Sequence, residues 1–423
     1  MNETVLWIEG LHIPASADPP PAQVDVVVIG GGITGLTAAL ALAQHGARVA
    51  LFEAHQIGWG AASRNGGMVL TGLKVGVAGL LKTYGAERAR RLFDASKTAI
   101  DLVEQIITRE AIGCDFARTG HLVLASKPQH AVDFETEADL LRTTFGHATR
   151  ILARSALHDE IGSSIYHGGM IDEASAGIDP ARYLAGLAAA AQRHGALLFD
   201  RAAVQQISGN PGNFVVETAR GNLRADQIFV ATAGYTGAIT PRLRRRVIPV
   251  GSYIIATEPL GALAHQLIPR ARQVFDTKHF LHYYRLTPDG RLLFGGRARF
   301  TPETRDSIRA AATILQRDML TVFPQLRDIQ VAYAWGGTVD FTFDQMPHAG
   351  ELGGLHYALG YAGHGVAMAT YLGTQFGAKL AGAAYDNPLH DIAPPRAPLA
   401  LYDGRPYFLP LAGLYYRILD VLY

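Results

Sequence analysis

The sequence contains one cysteine, Cys114, in 423 residues. A lone thiol excludes an intrachain disulfide and any multi-cysteine zinc or iron–sulfur site, and fits a reducing, cytoplasmic setting. Excess charge is also missing. Lys and Arg number 38 against 37 Asp and Glu, a net charge of +1, so no field favours nucleic acid as a partner. No stretch reaches the roughly 18 uncharged apolar residues of a spanning helix. Residues 1–21 lack the basic flank and apolar run of a secretory signal. Internal repeats, low-complexity tracts, Ser/His/Asp constellations, acid–base dyads and metal-ligand spacings are all absent, so the metal expectation is none.

What is present describes an ordered globular chain, with 48% hydrophobic and 18% charged residues. Its length exceeds one compact core, so two interleaved domains are expected. Residues 24–29 (VDVVVI) are an apolar, mostly β-branched run suited to a strand buried on both faces. Gly30–Gly32 follow, then 33–45 (ITGLTAALALAQH) reads as a helix stopped by Gly46, and 48–53 (RVALFE) as a second strand. Helices are predicted over 86–112 and 181–194, and short strands over 196–199, 203–207, 214–218 and 227–231. More strand patterns fill 247–300, with a turn at Pro288-Asp289-Gly290. The aromatic, Leu-rich end, residues 406–423, reads as a tail docked on the body or a subunit contact, with a membrane-surface anchor as the alternative.

Gly30, Gly32 and Gly35 satisfy G-x-G-x-x-G between a strand and a helix. The first allows the tight turn, the second lets a pyrophosphate approach the backbone, and the third lets helix and strand pack closely. The helix N-terminus supplies N–H donors and a positive dipole end. Glu53 closes the second strand about 20 residues on, where a carboxylate accepts bonds from ribose hydroxyls and disfavours a 2′-phosphate. This fingerprint alone does not separate NAD from FAD. Two further segments point to FAD. GWGAASRNGG (58–67) supplies small residues beneath a flat ring, with Ser63, Arg64 and Asn65 as donors. GYAGHGV (360–366) opens an Ala/Gly-rich helix to about 383, aiming a second dipole at the ring.

With these segments, and with FVATAGYTG (229–237), LTPDGRLLFGGR (286–297) and WGGTVDFTFDQMPHAG (335–350), the chain resembles the D-amino-acid-oxidase-like superfamily of FAD enzymes, most of all the γ-glutamylputrescine oxidase group. The resemblance implies an α/β fold: a Rossmann-like FAD-binding domain interleaved with a mostly antiparallel, sheet-based α+β substrate domain. It implies FAD-binding segments at 22–80, 150–240 and 331–395, substrate-binding segments at 81–149 and 241–330, and a tail at 396–423. Non-covalent FAD contacts are implied for Gly30, Gly32, Ile33, Thr34, Gly35, Glu53, Ala54, Ala61, Ser63, Arg64, Asn65, Gly66, Gly67 and Met68. Further contacts are implied for Val204, Ala233, Gly234, Gly363, His364, Gly365 and Val366. Cys114 lies far from the flavin-facing segments and reads as core. Some sarcosine-oxidising relatives use a lysine for reaction with O₂, but Leu292, Leu293 and Phe294 occupy the corresponding strand here. The electron acceptor is therefore left open between O₂ and another species.

The expected chemistry is oxidation of the C–N bond of a small amine, N-substituted amino acid or γ-glutamyl-polyamine. A hydroxy-acid or glycerol-phosphate-type dehydrogenase and a non-catalytic FAD subunit are the alternatives. Substrate contacts are sought in Tyr253, Tyr283, Tyr284, Arg285, Arg297 and Trp335, because aromatic faces hold amines and an arginine fork holds a carboxylate. Tyr253 and Trp335 are preferred, with His364 facing the ring. Arg244-Arg245-Arg246 reads as a solvated run. A homodimer is left open.

Overall fold

The computed structural model describes residues 1–296, 304–390, 392–398 and 401–422. The first predicted strand forms as β1 (Gln23–Ile29), in which Val26, Val27 and Val28 have no exposed surface. A β-branched run suits it because both of its faces are covered. Helix α1 (Ile33–Gln44) follows, and β2 (Val49–Phe52) returns parallel to β1 with Val28 opposite Leu51. Gly46, at φ +81°, takes the left-handed turn between them.

β1 is central in an eight-stranded sheet. β2 and Leu197–Phe199 lie on one side; Gly221–Val230, Leu355–Leu359 and His348–Leu352 lie on the other. The four strands beside β1 and β2 run parallel, apart from the closing antiparallel His348–Leu352. Parallel order brings their C-terminal ends together at one edge of the sheet, where α/β folds bind ligands. An antiparallel pair, Val204–Asn210 with Asn213–Thr218, extends from Gly221–Val230. Against the sheet, α1 packs closely on the helix Gly365–Leu380. A Cβ on Gly373 would fall 2.1 Å from Thr37 Oγ1, and one on Gly377 2.6 Å from the Ala38 carbonyl. The fully buried Leu36 and Leu372 are typical of this layer, where each such side chain contributes about 1.5–3 kcal/mol.

A second eight-stranded sheet, mostly antiparallel, runs in the order Val331–Phe341, Ile248–Thr257, Leu292–Gly296, His282–Leu286, Gln273–Asp276, His121–Leu124, Gly168–Asp172 and Arg150–Ala153. The helix Arg305–Val322, begun by a capping box at Thr304 and Ser307, covers one face with Ile308, Leu315 and Met319.

Strand pairing departs from the expected division of the chain in two places. Arg150–Ala153 and Gly168–Asp172 join the second sheet, and so does Val331–Phe341, which pairs along almost its whole length with Ile248–Thr257. Long-range pairing of this kind leaves no mark on local sequence pattern. The helix expected over 86–112 forms from 86 to Glu110, and a shorter helical stretch from Gly76 precedes it across a break at Gly85, whose φ of +73° no helix accommodates. The tail contains the helix Leu409–Leu422, anchored where Asp420 accepts bonds from the His279 and Phe280 N–H groups at 2.7 and 2.9 Å.

Candidate active site

A cavity of about 700 Å³ opens at the C-terminal edge of the first sheet and runs to the second. Three of the five parallel strands contribute the residue after their end: Gly30 after β1, Glu53 after β2 and Ala231 after Gly221–Val230. Gly30 sits at φ +112°, and a Cβ there would strike the Ala231 carbonyl at 2.6 Å. Gly32 differs, since a Cβ on it would meet only Ala62 at 3.7 Å. The space above Gly32, at the uncapped start of α1, is thus open to a ligand, as a pyrophosphate cradle requires. Glu53 is held from both sides, its carboxylate accepting from Gly31 N at 2.8 Å and His55 N at 2.9 Å. That fixes the carboxylate beside the turn that leads into α1.

The opposite wall is the loop before the helix Gly365–Leu380. Gly360, Ala362 and Gly363 all have positive φ, and nothing lies within 4 Å of a Cβ built on Gly363. Buried Asp340 ties the loop down, its carboxylate accepting from Gly360 N while its carbonyl accepts from Ala362 N. Burial raises that carboxyl above the usual range. Tyr361 OH and Thr34 Oγ1, 2.7 Å apart, link the two helix starts. His364 caps the second helix with its Nδ1 enclosed and unpartnered. Burial first, then the charges of Lys74 and His121, push its imidazole down to about 3, so it is neutral at ordinary pH. An open cradle at one end and a neutral imidazole with an enclosed, unpartnered Nδ1 at the other fit a long dinucleotide with a ring at its far end.

Most of the residues expected to hold FAD line this cavity: Gly30, Gly32, Ile33, Thr34, Glu53, Ala54, Ala61, Arg64, Asn65, Gly66, Met68, Val204, Ala233, Gly363, His364, Gly365 and Val366. Four do not. Gly35 lies against the Gly30 carbonyl, 1.9 Å from a notional Cβ, and so serves helix–strand packing. Ser63 donates its hydroxyl to the Gly58 carbonyl at 2.6 Å. Gly67, at φ +70°, abuts the Ile178 carbonyl, and Gly234 abuts Thr338. The Asn65 side chain is also spent on its own loop, through Ala61 O, Ala62 O and Gly67 N.

The preferred substrate residues need correction. Tyr253 is buried beneath the helix Arg305–Val322, its hydroxyl donating to Ser307 Oγ at 3.1 Å. Its neighbour Ser252 points the other way, into the cavity, 3.1 Å from Tyr283 OH. Trp335 is buried too, and donates its indole N–H to the Arg64 carbonyl at 2.9 Å. Trp7 does the same for the Asn65 carbonyl at 2.9 Å, so two indoles clamp consecutive peptides of the cofactor loop. Tyr284 is buried against Tyr166, and Arg285 is held by the Gly67 and Ile178 carbonyls, so neither reaches the cavity. Arg297 lies outside the described residues. Arg246 donates to the Pro394 carbonyl, away from the cavity. Cys114 is buried, its thiol pushed up to about 12, and does not line the site. Among the described residues no cluster of His, Cys, Asp and Glu suits a metal.

Tyr283 does line the cavity, and with it come residues that sequence reasoning missed: Lys74, Phe275, Leu281 and Ser252. Phe275 and Tyr283 are cross-strand partners, which places both rings on one patch. The only signal for Lys74 was its position shortly after the 58–67 segment.

A family model described as DAO, FAD dependent oxidoreductase, matches residues 25–377. The chain is 34% identical over 360 residues to a probable oxidoreductase OrdL of Haemophilus influenzae, covering 83% of this chain and 82% of that protein. It is 33% identical over 363 residues to gamma-glutamylputrescine oxidoreductase of Escherichia coli K12, covering 85% and 84%. Among solved structures, glycine oxidase from Geobacillus kaustophilus superposes with a TM-score of 0.73 at 20% identity, over 88% of this chain and 98% of that one. L-proline dehydrogenase from P. horikoshii gives 0.70 at 20% identity, over 93% and 99%. The Rossmann-like cradle, the second sheet and the family match over most of the chain agree: this protein belongs to the DAO family and is an FAD-dependent oxidoreductase.

Proposed function

We propose that the enzyme oxidises the C–N bond of a small amine, N-substituted amino acid or γ-glutamyl-polyamine, with FAD held non-covalently. The observation that carries this reading is the far end of the cavity, where Tyr283, Phe275, Leu281 and Ser252 make a largely apolar chamber beside the neutral imidazole of His364. FAD, held by the cradle at Gly30–Gly32 and the loop at Gly363–Gly365, would supply a two-electron acceptor for the hydride of the amine's α C–H.

The chain's own residues orient and desolvate. Tyr283 and Phe275 offer ring faces against which an alkylamine packs. Low local polarity disfavours an ammonium, so the amine is held in its unprotonated, oxidisable form. His364 neither gives nor takes a proton near neutral pH, and so leaves the nitrogen lone pair available. Loss of hydride from the neutral amine leaves an iminium ion, which takes up water, releases a proton and separates into a carbonyl compound and an amine or ammonia. The kinship with gamma-glutamylputrescine oxidoreductase supports this class of bond.

Anaerobic mixing with polyamines, γ-glutamyl amines, sarcosine and D- and L-amino acids tests it. Bleaching of the yellow colour by at least one amine, with an aldehyde or keto acid plus amine or ammonia as products, is expected. Bleaching by hydroxy acids or glycerol phosphate alone would refute it. Admission of air afterwards separates oxidase from dehydrogenase by the speed at which colour returns.

A further inference from the structure

The helix Leu409–Leu422 is apolar on two opposite faces, and the body of the protein covers one of them. The inner face seats Leu409 and Gly413, bonds Asp420 to the His279 and Phe280 N–H groups, and sets Tyr416 against the His279 ring at 5.5 Å. Leu411, Leu414 and Tyr415 lie on the outer face, with 74, 58 and 59% of their surface exposed. Tyr407, 75% exposed, continues this stripe one turn earlier. Six of the eleven exposed large apolar side chains among the described residues lie between 401 and 416. They make one patch instead of the usual scatter, and such patches mark interaction surfaces.

We infer that this face docks on the surface of an anionic lipid bilayer, at the boundary of headgroups and acyl chains. Charge selects this occupant. The tail 396–423 and the run 241–246 together contain seven arginines and two aspartates, in a chain whose net charge is only +1. The two segments touch: Tyr402 OH donates to the Val247 carbonyl at 2.6 Å, and a Cβ on Gly404 would fall 2.4 Å from Arg244 Cγ. Arg242, Arg245 and Arg405 are exposed, and Arg405 donates to Tyr407 OH at 3.2 Å, which brings a guanidinium to the edge of the apolar stripe. Of the two aspartates, Asp420 is spent on the body and Asp403 lies 3.8 Å from Arg405. A second copy joined by a two-fold axis would present the same patch, and so the same arginines. Anionic headgroups neutralise them, while leucine and tyrosine suit the lipid interface. With 14 residues the helix is too short to span a bilayer and lies along it.

The test uses the FAD-loaded protein, sedimented with vesicles of phosphatidylcholine alone or mixed with phosphatidylglycerol, over a series of salt concentrations. Expected is co-sedimentation with the mixed vesicles that weakens as salt rises, and little with the neutral ones. Leu411→Ser combined with Leu414→Ser should lower the affinity for mixed vesicles about tenfold or more. Arg242→Gln combined with Arg405→Gln should lower it by about tenfold. Val132→Ser, at an equally exposed apolar position on the helix Pro128–Phe145, should change nothing. Flavin content and melting temperature show that each variant is folded. Failure of the native protein to sediment with mixed vesicles, equal binding to both kinds of vesicle, or undiminished binding by the leucine variant would overturn the inference. So would a dimer that the leucine variant dissociates, without vesicle binding, since that assigns the face to a second copy. None of these outcomes depends on which bond the enzyme oxidises.

Discussion

At the scale of single residues, the cofactor loop depends on two indoles that never touch the cavity. Trp7 and Trp335 donate to the adjacent carbonyls of Asn65 and Arg64, and the loop between them presents Arg64, Asn65 and Gly66 to the ligand. Trp335→Phe keeps the ring but leaves a carbonyl short of its donor, at about 1–3 kcal/mol. FAD affinity should fall about tenfold, read by fluorescence quenching on reconstitution of the apoprotein, with little change in the helical circular dichroism. The same residue shows the limit of sequence reading. Sequence suggests Trp335 as a substrate contact, whereas it is a buried clamp, since which peptide an indole reaches is a tertiary fact. Tyr253 failed for a simpler reason. Side chains alternate along a strand, so choosing Tyr253 over Ser252 selects the wrong face of Ile248–Thr257.

At the scale of elements, the β1–α1–β2 unit could be read from sequence because its constraints are local. Gly30 and Gly35 are compelled by backbone approach, and the β-branched run by burial on both faces. Lys74 and Leu281 could not be read so, because loop residues carry no periodicity. Packing of the two helices at the cradle was equally hidden. It rests on Gly373 and Gly377 lying against Thr34, Thr37 and Ala38. Gly373→Ala drives a methyl into Thr37 and the Thr34 carbonyl and should cost about 1–3 kcal/mol by overpacking. Gly79→Ala, whose Cβ meets only Val75 at 3.5 Å, should be neutral or slightly stabilising. Thermal unfolding of the two variants side by side checks the contrast.

At the scale of the whole molecule, two sheets meet over one cavity, and buried histidines of both set a pH dependence of stability. Burial holds His121, His356 and His364 below the ordinary imidazole value of 6.5. The unfolded chain therefore binds protons below that value while the folded chain does not, and stability falls as pH drops beneath it. His282 is raised by Asp276 and Asp318 against its burial, so its contribution is complete below 6.5 and is lost only as pH rises through its folded value. The raised carboxyls of Asp179 and Asp340 begin to oppose the loss nearer the carboxylate range. The melting temperature should accordingly decline between about pH 6.5 and 5.5, and His364→Gln should flatten that slope.

One measurement bears most directly on the central claim, that a dinucleotide cradle and an amine-oxidising chamber are ends of a single cavity. It is the visible spectrum of the purified protein, reconstituted with FAD if needed, before and after anaerobic addition of an N-alkyl amino acid. The expected result is a flavin band at about 450 nm that bleaches on addition. A protein that remains colourless with FAD supplied, or a yellow one that no amine reduces, would contradict it.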